Sequence, residues 1–240
     1  MLFRSQRAQP PGYASGAMAP RALALESKVA GFEEKAFFEY HLYTLGRPTT
    51  LPDRSTKQIE LFPVARGVPC EKKLVYYGLA PGWRGFSPSP ITDRNYGVQI
   101  NKKVDVYLTF ENSKRNNMGM PLPKGKIRVY KLDDTGAQQF VGEDEIDHTP
   151  RDEKVRLYVG DAFDIVGDYK RTDYKRISDR TIEESFEVKI RNHKETPVEV
   201  KVVDHVWSDW KVTKSSHQFT KKDAHTFEFP VKVPKDGETV

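Results

Sequence analysis

The segment His225–Val233, HTFEFPVKV, places Phe227, Phe229, Val231 and Val233 at every second position. A strand turns successive side chains to opposite faces, so this spacing gives one apolar and one polar face. The same period recurs upstream. Ile182–Arg191 carries Ile182, Phe186, Val188 and Ile190 in one phase, and Val198, Val200 and Val202 alternate in PVEVKVVDH. Val104–Phe110 (VDVYLTF), Lys72–Tyr77, Lys126–Tyr130, Gln138–Gly142 and Lys154–Val159 read as further strands, and Phe163 and Ile165 follow the last of these. Nearer the start, strands are expected in FFEYHLYTL from Phe37 and in TKQIELF, which Pro63 stops. Polar turns separate these runs. LDDTG is a hairpin-type turn in which Gly136 can supply a positive φ. Strands of this length with no long helical pattern predict an all-β protein built of antiparallel β-sandwich units.

Three regions are expected. Residues 1–35, rich in Pro, Gly, Ala, Ser and Gln, read as a disordered arm or linker. Residues 36–167 read as a β-rich domain. Residues 168–240 read as an immunoglobulin-like β-sandwich, with PKDGETV placed where a turn should lead to one more strand, so that Thr239 and Val240 are either a frayed tail or the start of a last strand cut short. The segment DYKRTDYKRISDR can serve as one long strand shared by the two.

Charge narrows the partners. The 39 basic and 34 acidic residues leave a formal charge of only +5, and the signs are interleaved. The densest basic group, Lys170, Arg171, Lys175, Arg176 and Arg180, is interrupted by Asp168, Asp173 and Asp179. It reads as a solvated strand face, and no nucleic-acid partner is expected. No run approaches the ~18 apolar residues of a membrane span. The N-terminal stretch has no continuous apolar segment of a secretory signal. The one cysteine, Cys70, excludes an intrachain disulfide and a thiolate metal cluster, and it reads as a packing residue.

Chemistry-bearing motifs are sparse. Glu143, Asp144, Glu145, Asp147 and His148 invite a cation, but they lack the glycine and closing glutamate of a calcium loop. They read as an exposed edge with His148 bonded to backbone. No nucleophile elbow, phosphate loop or dinucleotide fingerprint is present, and neither a catalytic residue, a metal nor a cofactor is expected. Asp93, Glu111, Asp161 and Asp164 are loosely available as carboxylate pairs for glycoside hydrolysis, which needs a defined separation. The long turn-rich stretch Gly78–Tyr96 carries exposed-type aromatics. Trp83, Arg84, Phe86 and Tyr96 there, with Trp207 and Trp210 further on, are the candidate binding residues for a protein or glycan partner. The competing reading packs Trp207 and Trp210 onto the sandwich.

Three longer segments carry a family resemblance: FFEYHLYTLGRPTTLPDRSTKQIELF, then LPKGKIRVYKLDDTGAQQFVGEDEIDHTPRDEKVRLYVGDAFDI, then RNHKETPVEVKVVDHVWSDWKV. In this order they resemble the uncharacterised bacterial domain at the C-terminus of mucoidy-inhibitor-type proteins, over roughly residues 37–240. The resemblance implies an all-β domain pair, an export signal and coiled-coil-like segments upstream in full-length relatives, and a terminal strand after DGETV. It implies a periplasmic or cell-surface location, against a cytoplasmic one expected if the start of the chain is genuine, and it carries no catalytic residue. The expected function is a non-enzymatic binding or scaffolding module. The alternatives are a polysaccharide-acting hydrolase of the envelope and a self-assembling structural protein that pairs through an open sheet edge.

Overall fold

The computed structural model describes residues 32–78, 101–206 and 209–240, with the side chains of Phe32 and Glu33 left aside. These residues are built from strands, and the one helical element among them is a 3-10 turn at Lys114–Asn116. The chain divides into two units, Met1–Pro63 and Val64–Val240. The division expected at 167/168 falls inside a single uninterrupted strand of the second unit.

In the first unit, β1 (Phe32–Phe37) and β2 (Tyr40–Leu45) form an antiparallel hairpin. The expectation here needs two corrections. Residues 32–35 belong to a strand and not to the arm, and the alternating run from Phe37 is broken by a two-residue turn. Phe38 takes a φ of 56° at that turn and its ring is exposed. Alternation does not reveal the break, because Phe38 in the turn has the same parity as Tyr40 and Leu42 in β2, although the turn puts Phe37 and Tyr40 on one face. The run TKQIELF forms no strand. Its two apolar positions have no neighbouring strand, and Ile59 remains exposed. Phe62 instead meets the ring of Tyr43 edge-on at 6.0 Å.

The second unit contains β3 (Glu71–Tyr77), β4 (Lys103–Glu111), β5 (Gly125–Leu132), β6 (Gln138–Ile146), β7 (Lys154–Ser178), β8 (Thr181–Asn192), β9 (Val198–His205), β10 (Thr220–Lys221), β11 (Thr226–Val233) and β12 (Gly237–Thr239). Eight of these form one mixed sheet in the order β10-β11-β9-β3-β4-β7-β8-β12, in which β3 and β9 run parallel and every other pair antiparallel. β5 and β6 form a separate hairpin. Its turn works as the sequence reading expects: Gly136 has a φ of 82°, and Asp133 Oδ1 accepts hydrogen bonds from the backbone of Thr135 and Ala137.

The strand after DGETV needs restating as well: β12 is the GET of that segment, and it lies along Asn192–Ile190 of β8. Since β11 pairs with β9, the three-residue link Pro234–Asp236 carries the chain from one flank of the sheet to the other. The sheet therefore folds over on itself in sandwich fashion. Its apolar stripe closes into one core: Leu74 and Tyr76 from β3, Val104 from β4, Ile165 and Tyr169 from β7, Ile190 from β8, Val200 and Val202 from β9, and Val231 and Val233 from β11. Pro230 sits in β11 beyond the two residues that β10 covers, where that strand is the sheet edge and a missing N–H costs least.

Two close approaches lock this core. A methyl at Gly167 would lie 2.1 Å from the Tyr76 ring, and one at Gly78 would lie 2.0 Å from the Tyr169 ring. Each large ring occupies the space that a glycine leaves open. Two fully buried asparagines fix the strand ends. Asn192 donates to the carbonyls of Thr196 and Pro234 and accepts from the N–H of Lys194. Asn112 donates to the carbonyls of Met120 and Pro150 and accepts from the N–H of Gly119. Cys70, expected to pack, is exposed. Among the described residues no helix is long and apolar enough to cross a membrane.

Candidate functional site: a tyrosine and carboxylate cleft on the outer face of β4 and β7

On β4 the inner residue Val104 is fully buried, which turns Lys103, Asp105 and Tyr107 to the outer face. The matching residues on β7 are Tyr158 and Asp161. Three positions apart in a regular strand, these two would point to opposite faces. An irregularity prevents that: β7 gains one residue between the partners of Val106 and Tyr107, and Gly160 takes a φ of 141°. A bulge of this kind re-aims the side chains beside it. Tyr158 thereby faces Tyr107, and Asp161 faces Asp105. A second irregularity follows at once, where Lys103 pairs with Val166 and Asp105 with Asp161. The extra residues push Phe163 outward, and it is 96% exposed.

The result is a cleft of about 400 Å3 lined by Asn101, Lys103, Asp105, Tyr107, Tyr158 and Asp161. Asp161 receives Lys103 Nζ at 2.6 Å on one oxygen and the Tyr158 hydroxyl at 2.8 Å on the other. The Tyr107 hydroxyl donates to Asp105 at 3.2 Å. The two tyrosine rings lie 5.7 Å apart. Behind them, the Arg156 guanidinium sits 3.7 Å from the Tyr107 ring centre and reaches the Tyr77 hydroxyl, and Tyr77 stacks on His205. The cleft is also tied to the core, because the buried Tyr76 hydroxyl donates to the Asn101 carbonyl at 2.6 Å.

The electrostatics follow from these contacts. The hydrogen bond from Lys103, with a smaller one from Tyr158, holds the Asp161 carboxyl below the usual carboxylate range. Lys103 is raised by the same pair. Burial, with help from Asp161, pushes the Tyr158 phenol up to about 12, and burial raises Tyr107 further. At neutral pH the cleft therefore presents an ionised Asp161, an ammonium and two protonated phenols. Such a set binds through hydrogen bonds and ring faces. Asp161 is held in the wrong state to act as a proton donor.

Most of the residues expected from sequence are not among those described. Trp83, Arg84, Phe86, Tyr96 and Trp207 lie outside the described residues, as does Asp93. Trp210 is half-buried, donates its indole N–H to the Ala224 carbonyl at 2.6 Å and packs 5.3 Å from the Phe227 ring. Lys221 lies 4.8 Å from its ring centre. Glu111 pairs with Arg115 and Asp164 with Lys194, so these acids do not join Asp161 in the cleft. In the acidic stretch, Glu143 binds Lys126 and Arg128, Asp147 binds Lys124, and His148 Nδ1 accepts the backbone N–H of Lys124. No cluster of three or more metal-ligating side chains occurs among the described residues. In the basic stretch, Arg171 pairs with Glu184, Lys175 with Asp173 and Arg176 with Asp179. Tyr107, Tyr158, Asp105 and Lys103 carry the cleft and were not singled out by motif. The one sequence signal for them is Gly160, a glycine inside an otherwise alternating run. No family model, curated protein or solved structure matches this chain.

Proposed function

We propose that this chain is a non-enzymatic binding or scaffolding module, the C-terminal portion of a larger exported protein of the bacterial cell envelope. The observation that supports the binding reading is the geometry around Asp161: two hydrogen-bond donors fix it beside two aromatic rings. The envelope location rests on the resemblance to mucoidy-inhibitor-type proteins. The immunoglobulin-like reading of the C-terminal strands belongs to the same proposal. The aromatic stretch Gly78–Tyr96 remains part of the proposed surface, with Trp83 and Phe86 as its contacts.

The test is retention on immobilised envelope fractions: peptidoglycan sacculi, lipopolysaccharide and periplasmic protein. The wild-type chain is expected to be retained saturably by one fraction. Tyr158→Ala, or Trp83→Ala with Phe86→Ala, should release it. Failure of the wild type to bind any fraction refutes the proposal. Release of reducing ends from a polysaccharide, lost in Asp161→Asn, would establish the hydrolase instead. Self-assembly through an open edge has one observation in its favour. β12 covers only Ile190–Asn192 of β8, so among the described residues Thr181–Lys189 has no strand on its outer side. Glu183, Glu187 and Lys189 place charge along that edge, which disfavours pairing. A sedimentation coefficient independent of concentration removes this second reading.

A further inference from the structure

Building on the binding reading, we propose that the Lys103–Asp161 cleft is a subsite for a neutral, hydroxyl-rich sugar ring, with Phe163 as its stacking platform. Four observations converge on it.

The first is charge. Asp105 and Asp161 are balanced by Lys103 in the cleft and by Arg156 against the Tyr107 ring. Among the described residues, two charges of each sign balance here, an arrangement suited to neither a polyanion nor a polycation. The second is hydrogen-bond capacity. An ionised carboxylate offers about four acceptor positions and an ammonium three donors. Asp161 accepts one bond at each oxygen, and Lys103 spends one of its donors on it. The remaining acceptors and donors sit side by side in a fixed pair. Vicinal hydroxyls, each both donor and acceptor, match such a pair, whereas a purely cationic or purely anionic group uses half of it.

The third observation is Phe163. Phe163 stands outside the cleft lining, two residues beyond Asp161 on the same strand, and Ala162 between them packs against the core. Phe163 is 96% exposed on a bulge where the single residue Val104 of β4 faces residues 162–165 of β7. A phenyl ring left in water forgoes the stabilisation that burial gives. The apolar face of a pyranose lying across Asp161 can recover it by stacking. The fourth is topology. The cleft lies on the face of a sheet between two strands that are paired to each other. An extended peptide binds by adding to a free edge, and this position offers none. A volume of about 400 Å3 also sits in the range of small-ligand pockets.

The purified chain should be titrated calorimetrically with neutral cello-, malto- and N-acetylglucosamine oligosaccharides. A heparin oligosaccharide, a glucosamine oligomer and a mixed-sequence peptide pool serve as comparisons. At least one neutral oligosaccharide should bind saturably and more tightly than all three comparisons. Phe163→Ala should weaken it about 5-fold while leaving the thermal midpoint in place. Asp161→Asn should weaken it about tenfold. The inference is overturned if no neutral oligosaccharide binds, if both variants bind as wild type does, or if heparin, the glucosamine oligomer or the peptides bind more tightly. Retention on an envelope fraction separates the two claims. Retention that Tyr158→Ala abolishes, without any neutral-sugar binding, sinks the sugar assignment and keeps the binding module. No retention and no sugar binding sinks both.

Discussion

Gly167→Ala tests the core packing and its link to the cleft in one substitution. The added methyl would sit 2.1 Å from the Tyr76 ring, and Tyr76 cannot easily withdraw. It is fully buried, and its hydroxyl is bonded to the Asn101 carbonyl at the cleft. Overpacking a rigid site costs about 1–3 kcal/mol, and the upper end applies here because the obstacle is a pinned ring. Replacing a strand glycine returns roughly 0.5–1 kcal/mol of backbone entropy. The net expectation is a loss of about 2 kcal/mol, or roughly 4–8 °C in the melting temperature for a unit of this size. Thermal and urea denaturation followed by circular dichroism measures it. The decisive comparison is the same change in a Tyr76→Leu background, where the obstructing ring edge is gone. There Gly167→Ala should cost nothing. An equal cost in both backgrounds would refute the argument, because the loss would then not come from the ring.

Two further outcomes are expected. The phenols of Tyr158, raised to about 12, and of Tyr107 and Tyr76, raised further, hold their protons more tightly in the folded chain than in the unfolded one. The stability they contribute is full below about pH 10 and is lost as pH rises from there through about 12. Ultraviolet tyrosinate absorbance should therefore show a late, cooperative step that coincides with unfolding. A smooth titration of all tyrosines near pH 10 would contradict it. Asn192→Ala removes three hydrogen bonds from a fully buried side chain and strands two carbonyls and one N–H. A loss of about 2–4 kcal/mol in urea denaturation is expected, and a loss under 1 kcal/mol would contradict the pinning role.

Alternation made the strand framework legible. β3, β4, β8, β9 and β11 fall where period two places them, because each buries one face in a common core and the pattern reports that burial directly. What alternation could not report is a departure from itself. The bulge at Gly160 puts Tyr158 and Asp161 on one side, although parity assigns them to opposite sides. The cleft was therefore invisible to a reading that sorted residues by parity. The hairpin turn at Phe38 was hidden because that turn residue continues the alternation of Tyr40 and Leu42, although parity switches between β1 and β2. TKQIELF shows that alternation also occurs where no neighbour exists to bury it. The asparagines at 112 and 192 carry no pattern, and only the loops that they tie together reveal their purpose.

The parallel junction between β3 and β9 bears on how the chain assembles. Leu74 meets Val200 and Tyr76 meets Val202, partners over a hundred residues apart. The antiparallel run from β3 through β4 and β7 to β8 can form without that junction. Pairing across so long a separation is entropically slow. Until β9 arrives, the apolar flank of β3 is a bare hydrogen-bonding template able to recruit the wrong strand. Yield on refolding should thus depend on dilution, with β9 acting as the final seal.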